Sequence, residues 1–274
     1  MAHLLKSFFY KLINDITFRI TAIIGVALAI LMTILYSVFI KDIMGSGAYM
    51  LSFSVNPFQN FGIAIPVNLV IFTTLLFSQG IIRNQIIVGN SKTKVYLSLL
   101  IGGVVFTLSL LTIYVGVCVG LSTIIGGFLP SVKGTVIESF VSPTTIVQII
   151  VIAITSNIVI ASYSIFIATG IRNSGPCIPL SIVPTILLGV FAMMINLLGS
   201  LEGLNIPQWL VMVNKIVNPF NITSSISYTA TITSGQPQIV IPQEDFVFNL
   251  INNIVYIVVF SCFGVISFNK KDIK

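Results

Sequence analysis

Long uncharged apolar runs alternate with short polar segments along this chain. The runs are continuous rather than alternating with period two, which favours helices over strands. Only helices and closed barrels satisfy the backbone in lipid, and a helix needs about 20 apolar residues to cross the hydrocarbon core. Six runs meet this length without any Asp, Glu, Lys or Arg, and they predict transmembrane helices at residues 20–40, 62–82, 95–119, 144–171, 178–198 and 246–268.

Composition places the chain in the same class. Charged residues make up 7% of the 274 positions and hydrophobic residues 56%, whereas a soluble domain carries about 25% charged residues. We therefore predict an all-α integral membrane protein in which residues 1–274 form a single transmembrane domain. A scattered net charge of +6 does not indicate a nucleic-acid partner. The three cysteines, an odd number, argue against a disulfide framework.

The basic residues predict the orientation of the chain, because Lys and Arg concentrate in cytoplasmic loops. With the N-terminus in the cytoplasm, only Lys41, Lys133 and Lys215 of the 13 basic residues fall outside. Six spans with both termini in the cytoplasm is the consistent solution, and it predicts a multi-pass plasma-membrane protein.

Two segments outside the spans have patterns of their own. Residues 1–19 carry apolar residues at helical spacing, which predicts an amphipathic helix in the cytoplasmic interface; the alternative is an extension of the first span. Residues 199–245 form the larger extracellular segment, where Thr, Ser, Ile and Val with Pro and Gly punctuation predict short strands or an ordered loop. Within it, WLVMVNKIV (209–217) has the spacing of a re-entrant or interfacial helix.

Residues that could carry chemistry are scarce. The chain has no G-x-x-x-x-G-K-[ST] motif, so it does not bind ATP through a P-loop of its own. The sequence has no cluster of metal-ligand residues and no charged residue inside a predicted span, so no active site is visible in it. We therefore expect no enzymatic activity, metal or cofactor in this chain. The candidate pathway-lining residues are the neutral side chains Asn68, Gln148, Asn157, Asn249 and Asn252. The alternative for these residues is interhelical hydrogen bonding, which stabilises membrane bundles modestly.

A cationic segment that contains glycine, RNQIIVGNSKTK (83–94), separates the second and third spans. Residues 86–88 offer a small apolar surface beside the cations, and Gly89 with Asn90 can turn the chain sharply. We predict a short helix over about residues 79–88 that is ended by Gly89. These residues alone are consistent with either a docking surface for a partner or a topological anchor in contact with lipid headgroups.

The whole arrangement resembles the membrane-spanning permease subunit of ABC transporters of the type-2 exporter class. The resemblance rests on the N-terminal helix, the six spans, the terminal SFNKKDIK, and a G-x-x-R-N then G-x-S-[RK] pattern in GIIRNQIIVGNSKTKVYLS (80–98). Bacterial peptide-export and bacteriocin-immunity permeases look most similar. The resemblance implies that the segment 83–94 couples to an ATPase through Arg83, Asn84, Ile86, Ile87, Val88, Gly89, Ser91 and Lys92.

The resemblance also implies partners and a function. The permease would form an export pathway with a second copy or a sister permease, among the lipids of the bacterial plasma membrane. A separate cytoplasmic ATPase dimer would bind ATP and Mg²⁺ and drive transport. Neutral spans rich in Phe and Ile suit hydrophobic or amphipathic peptides better than ions, which favours toxin export or bacteriocin immunity. The alternatives are a non-transport membrane sensor or assembly factor, and an ABC permease for a drug, an ion or a lipid-linked glycan.

Overall fold

Helices make up most of the structure. This computed structural model describes residues 2–39, 61–128, 143–200, 207–217, 229–233 and 236–271. Within these ranges the chain forms helices α1 (Ala2–Asn14), α2 (Ile16–Phe39), α3 (Phe61–Ser78), α4 (Ile81–Ile87), α5 (Lys92–Phe128), α6 (Pro143–Ile171), α7 (Ser174–Ser200), α8 (Gln208–Val217) and α9 (Gln243–Lys270), and strands β1 (Thr229–Thr233) and β2 (Gln236–Val240). The predicted helical class is confirmed. The two strands add a small antiparallel hairpin in the segment where the sequence predicts strands or an ordered loop.

Five helices in the described part of the chain are long and apolar enough to cross a membrane, namely Ile16–Leu35, Lys92–Ile125, Thr144–Ile171, Ser174–Phe191 and Gln243–Lys270. The remaining predicted span is a bent pair, in which Ile65–Ser78 and Ile81–Ile87 meet at 55°. The number of candidate spans is six if this pair forms one span. The prediction of several helices that are apolar enough to span a membrane is therefore confirmed, while the cytoplasmic position of the termini stays a prediction.

The structure places two span boundaries differently from the prediction. The first helix of the second span, which is predicted at 62–82, ends at Ser78, because Gly80 adopts a left-handed conformation with φ 69° and precedes the separate helix α4. The third span, predicted at 95–119, is part of the longer α5, which has 37 residues. At 1.5 Å per residue α5 measures about 55 Å. It is therefore longer than the hydrocarbon core, which is roughly 30 Å thick.

The N-terminal helix is a separate element that ends before the first span begins. Asp15 is not helical and lies between α1 and α2. Its side chain accepts a hydrogen bond from the Thr17 hydroxyl, and its carbonyl accepts one from the Arg19 N–H at 3.3 Å. The carbonyl bond is the first hydrogen bond of α2, which makes Asp15 the residue before that helix, so α1 and α2 are two helices rather than one. The position of α1 at a lipid interface stays a prediction.

Helix α6 lies at the centre of the bundle. It contacts α3, α5, α7 and α9. Of its most apolar stretch of residues, 61% is buried, against 33% or less for the other four helices that are long enough to span. Ile149 packs in a cluster with side chains of α2, α3 and α5, whereas Val159 packs with α3 and α7. The outer helices α7 and α9 instead expose large apolar side chains such as Leu187 and Phe263, which is what a lipid-facing surface requires.

Polar contacts mark the two ends of the bundle. At one end, Lys11 of α1 donates a hydrogen bond to the side chain of Gln79, just after α3. At the opposite end, Lys215 of α8 forms an ion pair with Asp245 of α9 at 2.5 Å. We call the first the cationic end, which is defined by Lys11, Arg83, Lys92, Arg172 and Lys271. Segments that the sequence predicts to be on one side of the membrane therefore meet at one end of the bundle.

Candidate functional site

The short helix α4 begins at a sharp break in the chain. The Gly80 N–H donates to the Phe77 carbonyl at 3.0 Å, and the Asn84 N–H donates to the Gly80 carbonyl at 2.9 Å. Gly80 has φ 69°, a conformation that strains a residue with a side chain. This glycine is the reason that the chain can turn by 55° between α3 and α4.

Two of the predicted coupling residues set the end of α4 and the start of α5. Gly89 has φ 99°, and its N–H donates to the Ile86 carbonyl at 3.0 Å, as in a glycine-terminated helix. The Ser91 hydroxyl accepts from the Lys94 N–H at 3.4 Å, and the Ser91 carbonyl accepts from the Val95 N–H at 3.1 Å. Ser91 is thus the N-cap of α5. Both residues have local structural roles that are independent of any partner.

Helix α4 has a buried face and an exposed tip. Ile82 is fully buried, and Ile86 is half-buried against the same cluster of side chains. Ile87 and Val88 are 70% and 81% exposed. The predicted apolar surface of residues 86–88 is therefore divided, with Ile86 anchored inside and the next two residues outside. The exposed residues, which we call the α4 tip, are Arg83, Asn84, Ile87 and Val88.

Helix α4 contributes Ile82 to a cluster of buried side chains that also includes residues from five other helices. We call it the hub, and its buried members are Phe8, Leu76, Ile82, Val95, Tyr96, Leu99, Ile165 and Phe268. The Phe268 ring centroid lies 5.9 Å from that of Tyr96 and 6.1 Å from that of Phe77. Close-packed interiors transmit displacement from one side chain to the next. A movement of α4 would therefore be felt by α1, α3, α5, α6 and α9.

Lys92, another predicted coupling residue, is engaged within the chain. Its Nζ donates to the Asn269 carbonyl at 3.1 Å and to the Lys271 carbonyl at 3.0 Å. The last carbonyls of a helix have no partner inside it, and a cation at that end is favoured by the helix dipole. The Asn269 amide also donates to the Thr93 hydroxyl at 3.1 Å. These contacts hold the start of α5 to the end of α9.

Arg172 lies at the break between α6 and α7, next to the hub. It has φ 65°, and its guanidinium carbon lies 5.5 Å from the centroid of the Phe77 ring, which is within the range of a cation–π contact. Close by, the Lys271 Nζ donates to the Gly170 carbonyl near the end of α6. The ends of α3, α6 and α9 are thus joined by cationic side chains.

Two of the predicted pathway residues hold the bundle together at its opposite end. Gln148 donates from Nε2 to Gln243 Oε1 at 3.1 Å, near the starts of α6 and α9. Asn252 donates from Nδ2 to the Ile216 carbonyl at 2.8 Å, at the end of α8. Both contacts fit the alternative role that the sequence leaves open for these residues, which is hydrogen bonding between helices.

The other predicted pathway residues lie deeper. Asn157 and Asn249 are buried, and Asn68 is half-buried. The Asn157 amide donates to the Ala153 carbonyl of its own helix at 2.7 Å. Its Oδ1 has no hydrogen-bond partner among the residues that the structure describes.

Asn253, which is not among the predicted pathway residues, forms hydrogen bonds between two helices. Its Nδ2 donates to the Thr155 hydroxyl at 2.8 Å and to the Ser156 hydroxyl at 3.1 Å, which joins α9 to α6. The sequence feature that could have identified Asn253 is its spacing of four from Asn249, which places both amides on one face of α9. Tyr96 and Phe268 of the hub have no comparable signal, because they resemble other apolar residues in the runs.

The described residues of the candidate site form a surface that is partly packed and partly exposed. Within the described ranges, no three His, Cys, Asp or Glu side chains come together in a way that could hold a metal ion. What the residues do form is an exposed tip on a packed support that many helices share. No protein-family model, curated protein or solved structure matches this chain.

Proposed function

We propose that this chain is the permease subunit of an ATP-driven exporter and that the α4 tip is the docking surface for a separate ATPase. The observation that carries the proposal is an exposed apolar tip on a helix, α4, whose Ile82 is buried in a hub shared with five other helices. A segment that only fixed the orientation of the chain would need cations. It would need neither the apolar tip nor the packed support.

The α4 tip has the composition of a small protein-binding surface. Ile87 and Val88 supply an apolar centre, and Arg83 with Asn84 supplies a polar edge, as in protein interfaces generally. Acidic residues on the partner would attract Arg83 and favour a correct encounter. Since the buried centre of an interface carries most of its energy, residues 87 and 88 should contribute more to binding than Arg83.

The hub offers a route from the tip to the spans. Ile82 of α4 packs with Leu76 of α3 and Val95 of α5 in one buried cluster, and Lys92 ties α5 to the end of α9. Closure of an ATPase against the tip would therefore act on α3, α5 and α9 together. This mechanical link is what the coupling role requires.

For the substrate we propose hydrophobic or amphipathic peptides. An apolar groove of about 440 Å³ opens on the side of the bundle between α5 and α6. Such a groove offers an ion no replacement for its hydration shell, but it suits an aliphatic side chain that enters sideways from the membrane. The residues that line it include Leu111, Val115, Gly116, Ile150 and Ala153.

Photocrosslinking in the native cell tests the ATPase contact. Photoreactive benzoylphenylalanine replaces Val88 in one variant and Asn173, an exposed residue between α6 and α7, in the matched control. We expect position 88 to crosslink more strongly than position 173 to a soluble P-loop protein whose ATP hydrolysis this chain stimulates in vesicles. If position 88 links only to lipid or to proteins without a P-loop, the tip is a topological anchor and the proposal fails.

Acidic substitutions in the α4 tip test whether it couples ATP hydrolysis to export. The double variant Ile87→Asp with Val88→Asp should release the ATPase or uncouple hydrolysis from export while the chain stays in the membrane. Asn173→Asp adds negative charge at the same end of the bundle and keeps the acceptor for the Gly175 N–H, so it should behave like the parent. Cells with the intact complex should survive a membrane-active peptide better than cells with an ATPase that cannot hydrolyse ATP. Equal survival over a broad peptide panel would reject the substrate class alone.

A further inference from the structure

Helix α8 carries its apolar side chains on the outside. Its sequence, QWLVMVNKIV, has three polar residues, and none of its ten residues is buried. Trp209, Met212 and Ile216 are 63%, 59% and 40% exposed and lie at positions i, i+3 and i+7, which share one helix face. We call these three residues the α8 stripe. An exposed apolar face of this kind marks a contact with lipid or with another protein.

The end of α8 is capped by a side chain from a membrane-spanning helix. Asn252 Nδ2 lies 3.4 Å from the Lys215 carbonyl and 2.8 Å from the Ile216 carbonyl. In water, solvent would satisfy such terminal carbonyls; in lipid, the protein itself must supply the donor. Ile251 and Val255, on either side of Asn252 in α9, are exposed. The end of α8 thus lies at a level where the surface of α9 is apolar.

The ion pair of Lys215 gives the direction toward the polar surface. The Lys215 carbonyl lies beside Asn252, whereas its Nζ contacts Asp245 at 2.5 Å. Asp245 precedes Asn252 by two helical turns, which is about 10 Å along α9. The lysine side chain therefore extends from the apolar level of α9 toward its charged first turn, as a snorkelling lysine does in a membrane.

We infer that α8 is embedded in the leaflet at this end of the bundle, with the α8 stripe against the acyl chains just below the headgroups. The Asn252 cap and the direction of Lys215 favour lipid over water as the surroundings. The size of the stripe favours lipid over a second protein. Ten residues make a helix about 15 Å long, a small surface beside the roughly 800 Å² per partner of a stable interface. The inference does not depend on the export function.

Trp209 makes this placement measurable because it is the only tryptophan in the 274-residue chain. The full chain is reconstituted in phosphatidylcholine vesicles that carry bromine at acyl positions 6 and 7 or at positions 11 and 12, and acrylamide serves as the aqueous quencher. We expect the shallow bromines to reduce Trp209 emission at least twofold and more than the deep ones do. Acrylamide should quench it several-fold less than free tryptophan.

Comparator variants calibrate the measurement. In a Trp209→Phe background, Val258→Trp places the fluorophore on the exposed face of α9, deeper in the bilayer, where the deep bromines should quench it more. Asn173→Trp places it in an exposed position between helices, where acrylamide should dominate. Strong acrylamide quenching of Trp209 without a bromine effect would overturn the inference in favour of water. Protection from both quenchers would overturn it in favour of a protein partner, and stronger quenching by the deep bromines would overturn the shallow depth.

Discussion

Tyr96 fills the space that a side chain at Gly264 would need. A Cβ on Gly264 would lie 2.9 Å from Tyr96 Cε2 and nearer still to its Cζ and Oη. Tyr96 is fully buried, and its hydroxyl donates to the Phe260 carbonyl at 3.5 Å. Helices α5 and α9 therefore approach each other inside the hub at a point where only glycine fits.

Gly264→Ala should destabilise the bundle, because the added methyl group overlaps a ring that has no room to move. Overpacking of this kind costs about 1–3 kcal/mol. The measurement is the midpoint of thermal unfolding of the purified chain in detergent, which should fall. Gly102→Ala is the matched control, since no atom lies within 4 Å of a Cβ at that buried glycine of α5. Equal midpoints for the two variants would contradict the close approach.

Lys92→Met should loosen the end of α9 by removing the donor to its last carbonyls. A cation at a helix C-terminus contributes about 0.3–1 kcal/mol, so amide hydrogen exchange in the last turn should accelerate by up to about fivefold. Mass spectrometry of the C-terminal peptide gives the rate. Lys94→Met removes an exposed cation two positions away and should leave the rate unchanged. No acceleration in Lys92→Met would mean that Lys92 does not cap α9.

Asn253→Leu should weaken the contact between α6 and α9, since it removes the donor to Thr155 and Ser156. Interhelical hydrogen bonds in membranes average about 0.6 kcal/mol, so the loss should be about 1 kcal/mol. A double-mutant cycle with Thr155→Val, read from unfolding in detergent, measures the coupling. Thr155→Val should cost little in the Asn253→Leu background. Full additivity of the two substitutions would show that the bond contributes nothing.

The predicted orientation can be read from cysteine labelling in intact cells. The background lacks the native Cys118, Cys177 and Cys262. A cysteine in place of exposed Glu244, in the first turn of α9, should react with a membrane-impermeant maleimide, and one in place of Val88 should react only after the cells are opened. Labelling of position 88 from outside would reverse the topology and, with it, the proposed ATPase contact.

Local signals in the sequence predict most of the helices and the position of α4. Continuous apolar runs indicate spans because a chain in lipid must satisfy its own backbone. Gly80 and Gly89 mark the two ends of α4, because the backbone adopts positive φ at both positions. The boundary at Ser78 is harder to predict, since Ile81 and Ile82 continue the apolar pattern beyond the break.

The hub is not predictable from such signals. Phe8, Ile82 and Phe268 come together from distant parts of the chain, and each resembles many other apolar residues in its sequence context. Which of them meet depends on the packing of the whole bundle. For the same reason Lys92 is predicted as one cation of a partner-facing surface, whereas its acceptors lie at the end of α9.

The link between Lys92 and Asn269 gives the bundle an order of completion during synthesis. The two residues are 177 positions apart. At about 5–20 residues per second, the ribosome needs roughly 9–35 s to reach Asn269 after it has passed Lys92. Until then the hub also lacks Phe268, so the packing around Ile82 of α4 is incomplete. A chain that stops before Phe268 lacks a buried member of the hub, so only copies that extend past this residue acquire the complete support of the α4 tip.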